Sequence, residues 1–286
     1  MKIVAIMLVR NEDQFVGQAL ENILEFCDKI IVADHDSQDD TASIIKAIQK
    51  KDKKVLYHKI DKSGQSHDFV EEYIDTDTWI FGVDGDEVYD PEGLCTFREK
   101  LLAGEYIDSW QIFGNVLHCS SIDLRKREAT GYLSPPSRSM TKLYNFRAIK
   151  TWEGSTFTEP LLGGEITFHD SYNAGMRLSL LHDYDWDSSF FRCLHTCFMR
   201  RSSLDKQQTN GVYLRPNPVE VNNRSPRDYL FAAMRFLTRS EIFVSKWKRD
   251  KYMRGRQITK DISAFYPGQR DESHRRVVNV TMKKRS

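Results

Sequence analysis

No stretch of this 286-residue chain is long and apolar enough to cross a bilayer, and Met1 runs straight into a strand-like segment without a basic region and cleavage site. The expectation is a protein that is neither secreted nor embedded in a membrane. The sequence also lacks a Gly-x-Gly-x-x-Gly after its first apolar run, and it has no Walker lysine motif. Dinucleotide binding and P-loop phosphoryl transfer therefore find no support. Cysteine is sparse and odd in number: Cys27, Cys95, Cys119, Cys193 and Cys197 are scattered along the chain, as expected of reduced thiols in a cytoplasmic setting. Cys193, His195 and Cys197 come nearest to a metal cluster. On a helix, however, the two cysteines share a face while His195 points away from it, and no second ligand pair follows at zinc spacing. A buried helix face is the expected outcome. Net charge is almost absent, at +1, but it is unevenly spread: residues 224–286 hold seventeen Lys and Arg against six Asp and Glu, which leaves residues 1–223 at −10. An acidic body without a recognised nucleic-acid motif gives no reason to expect a nucleic-acid partner.

What the chain does contain is a full globular composition, 40% hydrophobic and 12% aromatic, enough for one large domain or a domain with an appendage. Its organising stretch is Trp79, Ile80, Phe81, Gly82 and Val83, an apolar run that stops on Asp84, Gly85, Asp86 and Glu87. Such a run is too short for a helix and shows no polar alternation, so it reads as a buried strand with acids at its carboxyl end. An Asp-x-Asp there can aim two hard oxygen ligands at one divalent cation, with Gly85 allowing close backbone approach. Two earlier strands have the same plan. Residues 2–9 end at Arg10, Asn11 and Glu12, and residues 29–33 end at Asp34, Asp36 and Ser37. Amphipathic helices follow both, and residues 54–58 form a third strand. Repeated strand-helix-strand units imply a mostly parallel α/β sheet with both acidic clusters on one edge, where ligands collect. A calcium loop starting at Asp34 fails, because Asp39 stands where glycine is required and Ile45 where a glutamate is.

In this order and spacing, the three acidic strand ends resemble the family 2 glycosyltransferases of GT-A fold, over about residues 1–201. The resemblance implies an α/β Rossmann-like enzyme that moves a sugar from a nucleotide-diphosphate sugar to a hydroxyl acceptor, with Mn²⁺ or Mg²⁺ as cofactor. It assigns nucleoside and donor binding to Val9, Arg10, Glu12, Asp34, Asp84 and Gly85. The metal falls to Asp86, with Asp84 nearby. The family usually has glycines where Asp36 and Asp40 stand, and an Arg-Asn pair near His67, Asp68 and Phe69.

Downstream, residues 94–102 read as a helix and residues 109–118 as a strand. Residues 120–139 read as a polar loop, and residues 140–144 as a strand. Trp152, Gly154 and Glu159 match the family segment whose carboxylate is the catalytic base, so the resemblance places that role on Glu159, with Glu153, Glu165 and Asp170 as rivals. It also implies a metal-ligating histidine, for which His182 fits better than His169. Residues 1–223 are expected to be the catalytic domain and residues 224–286 a basic helical extension. The plain reading of that extension is packing on the catalytic domain; the sharper one is peripheral contact with an anionic membrane carrying a lipid-linked acceptor. A nucleotidyltransferase of related fold and a binding protein without turnover are the alternatives to sugar transfer.

Overall fold

The computed structural model describes residues 1–139, 141–153, 165–205 and 250–267. Short apolar runs without polar alternation form strands covered on both faces. β1 (Lys2–Val9) leads to α1 (Val16–Asn22), β2 (Lys29–Asp34), α2 (Thr41–Lys51), β3 (Val55–Lys59) and β4 (Thr78–Asp84). β1 pairs with β2 on one side and β4 on the other, and β2 with β3, all parallel. Their register sets Val9 opposite Asp34 and Leu8 opposite Asp84, so three strands stop at one edge with their acids side by side.

The chain then changes sheets. β5 (Glu87–Tyr89) belongs to a second sheet, and Gly85 and Asp86 make the crossing. α3 (Pro91–Leu102) starts where Asp90 Oδ1 accepts from the backbone N–H groups of Glu92 and Gly93 and Pro91 takes the first turn. The single strand expected over residues 109–118 is two strands in different sheets, β6 (Gln111–Phe113) and β7 (Asn115–Asp123). Gly114 is the crossing, because a Cβ there would run into the carbonyl oxygen of Phe191.

The loop expected over residues 120–139 is corrected to a hairpin of β7 with β8 (Glu128–Ser134). Asp123 Oδ1 caps its turn by accepting from the N–H groups of Arg125 and Lys126, and Arg127 takes the left-handed conformation at φ 56°. Polar residues at the hairpin tip reflect exposure, not lack of structure. β9 (Lys142–Asn145) runs antiparallel between β4 and β6. β10 (Ile149–Glu153) and β11 (Glu165–Phe168) form a separate antiparallel pair, and β12 (Arg177–Ser179) adds parallel to β6. The first sheet thus has the order β12-β6-β9-β4-β1-β2-β3.

The helix expected around Cys193 and Cys197 is also corrected, because Arg192–His195 is a strand, β13, lying antiparallel to β5 and parallel to β7. With a period of two, Cys193 and His195 share a face, which the helical reading had separated. β14 (Gln257–Asp261) pairs antiparallel with β8 and completes a second sheet of order β14-β8-β7-β13-β5. This departs from a purely helical extension over residues 224–286. Ile262 and Phe265 are fully buried, and the Phe265 ring stacks on Trp186 at 5.6 Å. Of the two basic helices expected over residues 226–237 and 242–252, only residues 250–252 are described, and these are helical; residues 268–286 also lie outside the described residues.

β1 shows how the first sheet is covered on both sides. Ile3, Ala5, Met7 and Val9 face a core shared with α1, α3 and the second sheet, while Val4 and Ile6 face a smaller core around Val70, Phe146 and Trp152. Phe26, Phe81, Tyr89, Phe97 and Phe191 interlock in the larger core with ring centroids 4.7–6.0 Å apart. Each such side chain contributes about 1.5–3 kcal/mol on burial. Together they hold the crossing from β4 to β5 in place. The five cysteines form no disulfide, and of them only Cys95 is exposed.

Candidate active site

The loops after β1 and β2 are stitched to each other. The Asn11 N–H donates to Ser37 Oγ at 2.9 Å, the Gln38 N–H to Asn11 Oδ1 at 2.7 Å, and the Glu12 N–H to Thr41 Oγ1 at 2.7 Å. Asn11 and Asp36 both sit at φ 54°, a left-handed conformation that short polar side chains tolerate. That geometry accounts for a position where the resembled family has glycine and this chain has Asp36. Asp34 ends β2 almost fully buried, with Oδ1 accepting from the Ser37 N–H at 3.0 Å and Oδ2 from the Tyr57 hydroxyl at 2.8 Å. The Val9 carbonyl accepts from the His35 N–H. Burial, reinforced by the Arg10 guanidinium, pushes the His35 pKa down.

Gly85 has a contact reason to be glycine. A Cβ there would overlap Glu12 Oε2 and stand 2.9 Å from Val9 Cγ1. The Glu12 carboxylate therefore packs against the Asp84–Asp86 turn. Arg201 ties the two loops together, with Nη1 2.5 Å from Asp86 Oδ2 and 3.2 Å from Glu12 Oε1. Burial works against its charge, but the Asp86 and Glu12 carboxylates outweigh burial and hold the guanidinium pKa above its ordinary value. The segment after Arg201 fixes its place: Ser202 Oγ meets Asp39 Oδ2 at 2.6 Å, and the Gln14 N–H donates to the Arg201 carbonyl. Asp84 is partly exposed, with the buried Lys142 ammonium 3.8 Å from Oδ2. Glu87 is buried beneath the turn; burial, then the Asp84 carboxylate, raise its pKa well above the usual range.

The second sheet brings an imidazole to this point. In register, His195 lies between Glu87 on β5 and His118 on β7. Its Nε2 is 3.7 Å from Asp86 Oδ2, and the Asp86 carbonyl accepts from the next residue, Thr196, at 2.9 Å. His118 Nδ1 and His195 Nδ1 are 2.8 Å apart, and burial, then His195, lower the His118 pKa well below its ordinary value.

Val9, Arg10, Glu12, Asp34, Asp84, Gly85 and Asp86 thus come to one edge of the first sheet. His182 does not sit beside Asp86. It is exposed and closes the 3₁₀ turn Leu180–His182 after β12, and β12 stands three strand spacings from β4, roughly 14 Å away. His169 pairs with Asp75 at 2.8 Å. Glu159 lies outside the described residues. His195 and Arg201 are the additions. An alternating reading of residues 191–197 would have turned His195 onto the face of Cys193, whereas nothing local marks Arg201.

The donors at this edge fit a divalent cation. Adjacent ligands of an octahedral ion at about 2.1 Å stand roughly 3.0 Å apart, so Asp86 Oδ2 and His195 Nε2, at 3.7 Å, would draw together by about 0.7 Å to share one. The carboxylate suits a hard ion such as Mn²⁺, and the imidazole a first-row transition metal. The Arg201 guanidinium already supplies positive charge at the same carboxylate. A separate cavity, lined by Lys2, Asp28, Lys54 and Thr78 among others, opens at the amino-terminal edge of these strands and contains none of the site residues.

The family profile described as glycosyl transferase family 2 matches residues 4–207, and the chain belongs to that family. Among curated proteins none matches the sequence. Similar solved structures include glucosyl-3-phosphoglycerate synthase from Mycobacterium tuberculosis in complex with Mn²⁺, UDP-glucose and phosphoglyceric acid. It is 19% identical over 40% of this chain and 44% of that one, with a TM-score of 0.30. The mannosyltransferase PcManGT from Pyrobaculum calidifontis in complex with GDP-mannose and Mn²⁺ is 18% identical over 43% of this chain and 36% of that one, with a TM-score of 0.32. Mannosyl-3-phosphoglycerate synthase from Rubrobacter xylanophilus is 18% identical over 41% of each chain, with a TM-score of 0.31. The match spans less than half the length of each of these proteins.

Proposed function

We propose that this protein transfers a sugar from a nucleotide-diphosphate sugar to a hydroxyl group of an acceptor, with inversion. The observation that carries the reading is the gathering of Glu12, Asp34, Asp84 and Asp86 at one sheet edge of a family 2 chain. Glu12 and Asp34, with Val9 and Arg10, form the nucleoside side of the site. Asp86 and His195 would hold Mn²⁺ or Mg²⁺, with Asp84 alongside and His195 taking the place first given to His182. When bound, such a cation neutralises charge on the departing diphosphate. Arg201 then turns its guanidinium from Asp86 toward the donor's phosphates, where a planar cation pairs well. Glu159 takes the proton of the acceptor hydroxyl as the new bond forms. A single displacement of this kind inverts the anomeric centre.

Screening nucleotide-diphosphate sugars by thermal shift, with Mn²⁺ and with chelator, tests the donor and metal assignments. A ligand at one hundred times its Kd adds about 2.7 kcal/mol, which raises Tm by roughly 5 °C in a protein of this size. Asp86→Ala is expected to lose the Mn²⁺-dependent part. If no nucleotide sugar shifts the wild type in Mn²⁺, the reading is wrong. Glu159→Gln is expected to keep donor binding and transfer sugar on the order of 10²–10⁴ times more slowly. Contact with anionic lipid rests on the charge of residues 224–286 alone, and co-sedimentation with phosphatidylserine vesicles before and after removal of residues 268–286 tests it. Among the described residues no helix is long and apolar enough to cross a membrane.

A further inference from the structure

We infer that His118 is a positioning residue for the cation site: it holds the His195 ring in the Nδ1–H tautomer, so that the Nε2 lone pair faces the position beside Asp86. The inference rests on the proposal that Asp86 and His195 share the cation.

The assignment follows from which atoms can carry hydrogen. His118 Nε2 lies 2.8 Å from the carbonyl oxygen of Arg138. A carbonyl can only accept, so Nε2 of His118 is the protonated nitrogen. The two Nδ1 atoms stand 2.8 Å apart, a spacing that needs one hydrogen between them. Were His118 the donor, it would be an imidazolium cation with no exposed surface, its ring stacked on Tyr252 at 4.6 Å and its hydrogen bonds made to a carbonyl and another imidazole. Burying an unpaired charge in that way is expensive. His118 is therefore neutral and accepts, and His195 donates from Nδ1. A cation at Nε2 needs that nitrogen's lone pair, so the form of His195 that takes a cation is the neutral Nδ1–H tautomer, whose Nε2 lies 3.7 Å from Asp86 Oδ2.

A different use of the same atoms can be set aside. His118, His195 and Cys197 are close enough to suggest a buried soft-metal site. The two Nδ1 atoms, 2.8 Å apart, share a hydrogen, and His118 Nε2 is engaged by the Arg138 carbonyl, so neither nitrogen of His118 offers a lone pair to such an ion. A relay thus runs from the Arg138 carbonyl through His118 on β7 to His195 on β13. A metal-binding histidine is ordinarily oriented by a carboxylate, carbonyl or water on its second nitrogen; here a neighbouring strand supplies another imidazole.

The test uses full-length wild type, His118→Leu, His118→Asn and His195→Ala. His118→Asn is the conservative variant, since its side-chain oxygen can accept where Nδ1 did. Long-range ¹H–¹⁵N NMR on the metal-free protein reads the His195 tautomer, and electron paramagnetic resonance reads Mn²⁺ binding without nucleotide or turnover. We expect Nδ1–H in wild type and in His118→Asn. His118→Leu is expected to lose that single tautomer and to bind Mn²⁺ on the order of ten- to a hundredfold more weakly, with His118→Asn within about threefold of wild type. If His195→Ala weakens Mn²⁺ binding while His118→Leu keeps both affinity and tautomer, the role of His118 is refuted and the cation site stands. If His195→Ala binds Mn²⁺ as wild type does, the cation assignment itself fails. Should His118→Leu not fold, the wild-type spectrum decides: an Nε2–H tautomer of His195 overturns the inference.

Discussion

Replacing Arg201 by methionine keeps most of the side-chain volume and removes the charge that Asp86 and Glu12 share. Both carboxylates are buried, at 1% and 6% exposure, so in the absence of metal the variant keeps two neighbouring anions with their common cation gone. Breaking a buried pair by removing one partner costs about 3–5 kcal/mol. For a chain of this length that corresponds to a fall in Tm of roughly 6–10 °C. Differential scanning calorimetry in EDTA at neutral pH reads it directly. Two further outcomes follow from the same geometry. Added Mn²⁺ should stabilise Arg201→Met more than wild type, because the ion no longer has to displace a guanidinium from Asp86. The deficit should also shrink on acidification, since protonation removes the uncompensated charge. Equal Tm values in EDTA, or a Mn²⁺ gain no larger than that of wild type, would refute the idea that Arg201 acts as the site's own counter-cation.

Asp28 accepts from the Ile3 N–H and from Arg98, and these bonds outweigh burial, which alone would raise its pKa, so that it lies below 3.8. Its contribution to stability is complete above that unfolded value and is lost as pH falls through the lower folded value; the stability gap between wild type and Asp28→Asn should therefore be constant at neutral pH and narrow progressively in acid, and a pH-independent gap in urea titrations would contradict this. Gly114→Ala pushes a Cβ into the carbonyl of Phe191, backbone that cannot swing aside. A cost of about 1–3 kcal/mol is expected, and an unchanged Tm would show that the two strands need no such close crossing.

The parallel sheet and its acidic edge are legible in the sequence because β1, β2 and β4 are each local: an apolar run, a stop, and carboxylates in the next few residues. The second sheet was not legible, for a different physical reason at each strand. β7 and β8 present a solvent-facing side and a charged tip, which mimics loop composition. β6 and β7 look continuous because Gly114, a single residue, marks the change of sheet. β13 is four residues long, too short to separate a strand from a helix by periodicity, and that ambiguity hid His195. Arg201 was beyond reach for the reason common to long-range ion pairs: its partners, Glu12 and Asp86, lie 189 and 115 residues away in sequence.

The crossing at Gly85 and Asp86 makes the site a seam between two sheets: Asp84 belongs to the last position of β4, and Asp86 is held through its carbonyl by Thr196, just past β13. A ligand that grips both carboxylates therefore also fastens one sheet to the other. Mechanical and chemical integrity are joined here. Loosening β13 at its other end, for instance at Arg192, which is bound through Asp90 to the start of α3, would widen the gap across which the two carboxylates must act together. Conversely, an occupied site would protect the amides of β5 and β13 from hydrogen exchange.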